Sequence, residues 1–528
     1  MNAPVPAELE IKLRLAPRQA PLLLRHPALL TLKRGRVHVA TLRSTYFDTP
    51  KRRLADAGVG LRVRRAGRRW LQTVKGPLDE RSGGGLAARP EYEWPLRTRS
   101  TMPPLDPALL ATTPWRTTLA KALADGVAPV FITAFQRTTV PIVFADSTMA
   151  SLALDVGTIR LPHGRRAVAI CEVEIELESG HAHNLFELAR ALAADIDLVP
   201  ETASKAARGY ALAAAAPPLP QPRRAVDADL PKSASTCDAL AAILRSCLRQ
   251  VDGNADGTAT DDDPEWIHQM RIGTRRLRAC LSLLRDVVPH ATLAPIVSEA
   301  RWLAQTLGAA RDLDVLATET LPGVARALRS TGEATGAQGL PSLRARAARR
   351  RTAARQDVRA AVRSRRYVDL VLAVGALAAR PYFGVDAGTP AAMALGMRAR
   401  AFARPLLAHR QRVLLRRGAD LPAAAPPARH AARLAAKRLR YATEFFAPLF
   451  ARKRTRAYQA ALERLQDVLG VLNDATVAAD LAAAIVGAAA PATATLRGWS
   501  AAQAAMRGDA LAAAWHHFLA VRPFWARQ

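Results

Sequence analysis

The chain has 528 residues, half of them hydrophobic; that exceeds one ordinary core and points to two or three domains. Lys and Arg outnumber Asp and Glu by 76 to 45, a formal net charge of +31, so the expected partner is a polyanion: nucleic acid, inorganic polyphosphate or an anionic membrane. The four scattered cysteines (Cys171, Cys237, Cys247, Cys280) form no CxxC pair, which argues against a zinc site or a disulfide frame and fits a reducing compartment.

The charge is uneven: residues 1–215 carry a net +10 and residues 216–528 a net +21, so the second part is the better polyanion candidate. Met1–Lys12 lacks the basic and then apolar pattern of a secretory leader. The longest apolar run, Val368–Ala379, is too short to span a bilayer. The expectation is a cytoplasmic protein with no membrane partner.

Residues 6–212 show period-2 patterns. The first predicted strand, Glu8–Leu15, sets Glu8, Glu10, Lys12 and Arg14 on one face and apolar residues on the other. Leu61–Arg64 sets Arg62 and Arg64 on one face, and Arg89–Glu93 has a mixed face. Lys75, Arg137 and Asp155 sit in further strand-like runs. Cys171–Glu178 aligns four carboxylates, Glu172, Glu174, Glu176 and Glu178, whose mutual repulsion calls for cations opposite; Glu178 reads as a strand end in solvent. Charged strand faces of both signs imply an enclosed polar interior, with apolar faces turned outward under helices. Paired Glu-x-Glu carboxylates suit Mg²⁺ or Mn²⁺, and ringed Arg and Lys suit phosphate oxygens; together they would clamp a triphosphate.

These residues resemble the CYTH superfamily of triphosphate tunnel metalloenzymes. The ExExK signature stands as Glu8-Leu-Glu10-Ile-Lys12. Tyr46–Pro50, Leu61–Arg64, Lys75-Gly76, Arg89–Tyr92, Arg137, Asp155, Cys171–Glu174 and Ser204–Tyr210 follow in the family's order. The resemblance implies an eight-stranded antiparallel β tunnel with flanking helices. It implies Glu8, Glu10, Asp155, Glu172 and Glu174 as metal ligands for Mg²⁺ or Mn²⁺, and a phosphate path of Lys12, Arg62, Arg64, Lys75, Arg137, Lys205 and Arg208. Glu8, Glu10, Lys12, Glu172 and Glu174 would carry catalysis, with Glu172, Glu174 and Glu176 all eligible to accept the proton. The implied activity is hydrolysis of inorganic triphosphate; the alternatives are a triphosphatase acting on a nucleoside or thiamine triphosphate, or a non-catalytic, granule-associated protein that binds polyphosphate.

A proline-rich stretch, 213–234, reads as a stiff exposed linker. Residues 235–520 show Ala/Leu/Arg-rich helical periodicity. Asp252–Pro264 reads as a solvated loop, and Thr331–Pro341 and Gly418–Ala428 as further connections. An internal repeat runs through this half: His268–Arg278 aligns with His430–Arg440 at an offset of 162, and Leu307-Gly308…Asp312 aligns with Leu469-Gly470…Asp474 at the same offset. One copy places His268, Arg271, Arg275 and Arg278 on one helix face, the other His430, Arg433, Lys437 and Arg440. Duplicated like-charge stripes make most sense with an anion along them. Arg404, His409 and Arg412 form a further one-sided set, while the arginines of 344–366 go round their helix and read as solvated.

The paired HxxRxxx[RK]RLR blocks and LG…D blocks resemble the CHAD domain. The resemblance implies two pseudo-twofold-related four-helix bundles flanking a basic groove that binds inorganic polyphosphate. The expected fold class is therefore α+β, a tunnel domain and then an all-α domain. Little aromatic interleaving makes nucleic acid an unlikely specific partner. Location at polyphosphate granules would follow from tethering by the helical domain.

Overall fold

The computed structural model describes residues 7–77, 86–97, 103–214, 221–332 and 337–526. Residues 215–220 of the expected linker, residue 6 at the expected domain start and residues 333–336 of the Thr331–Pro341 connection lie outside them. The chain forms two compact units, one of 1–221 with 363–381, the other of 222–362 with 382–528.

In the first unit the strands are β1 (Ala7–Arg14), β2 (His38–Asp48), β3 (Gly60–Ala66), β4 (Arg69–Lys75), β5 (Leu86–Leu96), β6 (Ala128–Val143), β7 (Met149–Arg160) and β8 (Ala167–Ser179). They run antiparallel in the order β5-β4-β3-β2-β6-β7-β8-β1, and pairing of β1 with β5 closes them into a barrel. A short β9 (Val199–Pro200) adds to β1. Alternation does the sorting: in β8, Cys171, Val173 and Ile175 point out into an apolar cluster, while Glu172 and Glu174 are buried on the other face. The outer cluster is covered by helix α1 (His183–Asp195) through Leu185, Phe186, Leu188, Ala189 and Leu192. Helix α2 (Lys205–Ala213) follows; Ser204 caps it, its side chain accepting from the Ala207 amide.

The second unit is helical. Its long helices are α3 (Thr236–Asp252), α4 (Pro264–Leu284), α5 (His290–Val315), α6 (Leu321–Thr331) and α7 (Leu340–Val362), and, after α8 (Arg365–Ala379), α9 (Ala399–Arg417), α10 (Pro426–Phe446), α11 (Arg452–Val486), α12 (Pro491–Met506) and α13 (Gly508–Ala520). The 162-residue repeat is kept in the element boundaries: α4 and α10 begin and end at that offset, and α5 and α11 begin at it. Each of α3, α4 and α5 touches its own counterpart, α9, α10 and α11, as expected of an isologous two-fold arrangement. Helix α11 is long and apolar enough to cross a membrane by length and composition alone; here it packs against α10, α12 and α13 as a bundle helix does.

Three details differ from the sequence reading. Helix α8, the run Val368–Ala379 with its N-terminal turn, belongs to the first unit. It lays Val368, Leu372 and Ala376 on the α1 cluster, with Arg190 on Asp369 at 2.7 Å and Arg365 on Asp197 at 3.0 Å. Residues 255–260 of the supposed loop are helical, because Trp266 covers Gly257 and the buried Asn254 side chain holds both backbone groups of Arg223 at 2.9 Å. The end of the supposed exposed linker also packs: Ala228, Leu230 and Ala234 are buried in the second unit, and Ser246 of α3 donates to the Val226 carbonyl.

The seat of α8 is tight at Gly375, where an added Cβ would lie 2.2 Å from Cε1 of the buried Phe186. Gly375→Ala is expected to cost about 1–3 kcal/mol through overpacking. Gly470→Ala, whose Cβ would meet nothing within 4 Å, serves as the control. Thermal melts of the two variants check this: a loss confined to Gly375→Ala is the expected result.

Candidate active site and basic cavity

The inward faces of the strands meet in a cavity of about 280 Å³ inside the barrel. Its lining interleaves the cations Lys12, Arg62, Arg64, Lys75, Arg89, Arg137 and Lys205 with the carboxylates Glu8, Glu91, Glu93, Glu174 and Glu176. The register explains the meeting: β1 and β8 set Glu10 against Glu176, Lys12 against Glu174 and Arg14 against Glu172, and β6 and β7 set Arg137 against Asp155.

Three fully or nearly buried carboxylates, Asp155, Glu172 and Glu174, bring ligand oxygens within 4.8 Å of one another. Bare, they could not share that space; cations hold them. Lys205 reaches into the group from α2, 2.6 Å from Asp155 and 2.9 Å from Glu174, and also contacts Glu172. Arg137 grips Asp155 with two hydrogen bonds of 2.7 Å and touches Glu174. Arg208 meets Glu172, and Lys12 bridges Glu10 at 2.9 Å and Glu174 at 3.1 Å. Burial pushes the Glu174 carboxyl up, but Lys12, Lys205 and Arg137 outweigh it and hold the group well below the usual carboxylate range. Burial likewise opposes the charge of Lys12, and Glu10 and Glu174 reverse that, so its pKa is raised.

A second group lies on the β3–β5 side. Lys75 sits between Glu8 at 2.5 Å and Glu91 at 2.8 Å, and Arg62 joins Glu91 at 3.0 Å and the Tyr46 hydroxyl at 3.3 Å. Lys75 and Arg62 overcome burial and bring Glu91 down to about 2. Arg64 differs. Among the described residues it has no carboxylate within ion-pair distance, only the Ser44 hydroxyl at 3.3 Å, and burial and the neighbouring Arg62 lower its pKa to about 10. A largely buried guanidinium without an anion is a ready phosphate contact.

The second unit holds a cavity of about 680 Å³ between α4, α9 and α10. Arg275, Arg278, Arg285 and Arg301 line it with His409, Arg410, Lys437 and Arg438; Asp286 is the one acid among the lining residues. The pseudo-twofold is visible in its ion pairs: Arg271 with Asp312 at 3.4 Å, and Arg433 with Asp474 at 3.8 Å, each pair 162 residues from the other.

A CYTH-domain family model matches residues 6–210, and a CHAD-domain model matches residues 242–483. The chain carries a CYTH domain followed by a CHAD domain. Over 205 residues it is 32% identical to an inorganic triphosphatase of Haemophilus influenzae, covering 39% of this chain and 54%, about half, of that protein's length. Among solved structures, the CHAD domain of the plant Ricinus communis is 36% identical, with a TM-score of 0.48, covering 57% of this chain and 98% of the other. A Hippeastrum protein described as having a dominant triphosphatase activity is 20% identical, with a TM-score of 0.27, over 38% of this chain and 95% of its own.

Of the barrel residues expected in the site, Glu8, Lys12, Arg62, Arg64, Lys75, Arg137, Glu174 and Lys205 line the cavity, whereas Glu10, Asp155, Glu172 and Arg208 are not among its lining residues. Tyr46, Glu91 and Glu93 belong to the site and were missed as site residues, although Glu91-x-Glu93 repeats the alternation of Glu8-x-Glu10. In the CHAD domain, Arg275, Arg278, His409 and Lys437 line the cavity and Arg271 and Arg433 pair with Asp312 and Asp474; Arg285, Arg301, Arg410 and Arg438 join the lining unforeseen. Arg404 and Arg412 are not among the lining residues. Arg440 turns to Glu444 at 2.6 Å, and the exposed His430 meets Asn473 at 3.3 Å, while His268 is half-buried. Of the arginines read as solvated, Arg351 and Arg355 hold the buried Asp314 at 2.5 and 3.1 Å, because an enclosed carboxylate needs a cation.

Glu176 gives a pH test. Burial, then Glu8 and Glu10, push its carboxyl up to about 7 from a usual 4.5. The folded chain therefore holds this proton more tightly than the unfolded chain, and its contribution to stability declines as pH rises from about 4.5 to about 7. In metal-free buffer, Glu176→Gln is expected to melt a few degrees higher than the wild type at pH 8 and to lose that advantage near pH 4.5. A gain of equal size at both pH values would contradict the assignment.

Proposed function

We propose that the CYTH barrel hydrolyses inorganic triphosphate with a divalent cation and that the CHAD domain binds inorganic polyphosphate. The observation carrying this is the barrel cavity. At about 280 Å³ it falls just below the usual range of ligand sites, roughly 300–1,000 Å³, and twelve of its seventeen lining residues are charged. That suits a short chain of phosphates better than a phosphate with a base or thiazole attached.

The donor set fits a hard divalent ion: Asp155, Glu172 and Glu174 offer only oxygen and stand close enough to share one ion, with Glu8 and Glu10 on the neighbouring strand. Mg²⁺ or Mn²⁺ bound there would neutralise phosphate oxygens and make a bound water more acidic. The chain's own part is positioning and charge. Arg64, free of carboxylates, and Arg62, Lys75 and Lys12 hold the phosphate oxygens and match the charge spread over them during transfer. Glu176, near pKa 7, is the interior carboxylate best placed to take a proton at neutral pH. In the CHAD domain, a cavity lined by eight basic side chains and one acid favours a flexible polyanion, and its scarcity of aromatic lining gives bases little to stack on.

Phosphate release from tripolyphosphate, ATP and thiamine triphosphate with Mg²⁺ tests the reading. Release is expected to be fastest from tripolyphosphate and to fall on the order of hundredfold or more in Glu8→Ala/Glu10→Ala. No release from any of the three, with polyphosphate binding intact, would leave a binding protein instead of an enzyme.

A further inference from the structure

Lys437 is the only lysine in the duplicated basic stripe. It stands where the first repeat has Arg275, 162 residues earlier. It is half-buried on α10, and among the described residues no carboxylate lies within ion-pair distance of it. Charged groups face it from every helix packed around it. Arg271 and Arg275 approach from α4, and Arg433 stands one turn back on α10 itself. Asp474 faces it from α11, with Asp312 of α5 beyond, but these acids already engage Arg433 and Arg271. From α9, His409 and Arg410 line the same cavity, as do Arg278, Arg438 and Asp286.

An ammonium among guanidiniums is in an unusual position. Arginines do not lose their protons, so the repulsion within the group falls on the one member that can. Burial first, then Arg275, Arg433 and Arg271, bring the Lys437 pKa down to about 6. A phosphate chain laid across these side chains would reverse the balance by neutralising the guanidiniums and offering oxygens to an ammonium.

We propose that the CHAD cavity binds a phosphate polyanion together with a proton, and that Lys437 is the group that takes it up. This rests on the polyphosphate reading and adds its regulation. The sign follows from linkage. Below about pH 6 the free lysine is already charged and no proton is needed. Between the free and the bound pKa, each binding event takes up a proton, and affinity falls by up to about tenfold per pH unit. Alkaline conditions therefore release the polymer, and mild acid retains it.

Isothermal titration calorimetry of the full chain with sodium polyphosphate measures this. EDTA is included to prevent hydrolysis, and two buffers of different ionisation enthalpy are used at about pH 7.5. The wild type is expected to take up about one proton more per bound polymer than Lys437→Arg, and its dissociation constant to rise up to about tenfold from pH 7 to 8 while that of Lys437→Arg rises much less. The barrel and His409 are common to both proteins, so the difference isolates Lys437. Equal proton uptake in the two, or none in the wild type, overturns the proposal. Absence of polyphosphate binding in both would instead remove the binding reading on which it rests.

Discussion

A carboxylate inside a barrel is tolerated only where a cation meets it, and that requirement organises the first unit. Desolvating one ion costs several kcal/mol, which a well-placed counter-ion and further hydrogen bonds must offset. The barrel meets the requirement by register. Antiparallel pairing sets Lys12 beside Glu174 and Arg137 beside Asp155, so neighbouring strands neutralise one another. Glu172 needs more than its strands provide, and α2 supplies it with Lys205 and Arg208. On the outward face of β1, β7 and β8 the apolar residues Ile11, Leu152, Leu154, Val173 and Ile175 then pack under α1 and α8. Fold and site have one cause: the alternation that buries Val173 and Ile175 outside is what buries Glu172 and Glu174 inside.

The helical unit treats charge in two ways. Where a carboxylate is enclosed, as at Asp314, Arg351 and Arg355 neutralise it. Along the faces of α4 and α10 the positive charge is left largely unmatched, with Asp286, Asp312, Asp474 and Glu444 against a larger number of cations. The repulsion this stores is carried by apolar packing elsewhere: Leu277, Leu281 and Leu284 of α4 and Leu439 and Phe446 of α10 are fully or nearly buried. Balanced charge in the barrel and unbalanced charge in the cavity suit different tasks. The first suits a rigid arrangement around the small substrate proposed for it, and the second suits the long anion proposed for the CHAD domain.

Much of this was legible because it is periodic. The period-2 alternation of Glu8–Leu15 and Cys171–Glu178 marks strands with one charged face, and the constant offset of 162 marks the two bundles almost to the residue. Periodicity names a face, not its partner, and the misses follow from that. Val368–Ala379 reads as an apolar helix, but nothing local says that it leaves the helical unit and lies on α1 within the first unit. Arg351 and Arg355 look solvated because Asp314 is far away in sequence. Asn254 and Trp266 turn an acidic, Gly-containing stretch into a packed turn through contacts that composition does not reveal.

The central claim, that cations hold the barrel's buried carboxylates together, is tested most directly at Lys205. Thermal melts of Lys205→Met would be compared with the wild type in metal-free buffer and again with added Mn²⁺. The variant would leave Asp155, Glu172 and Glu174 short of a charge; the account predicts a loss of about 3–5 kcal/mol without metal, and a larger recovery on adding Mn²⁺ than the wild type shows. A variant that melts with the wild type in metal-free buffer would contradict it.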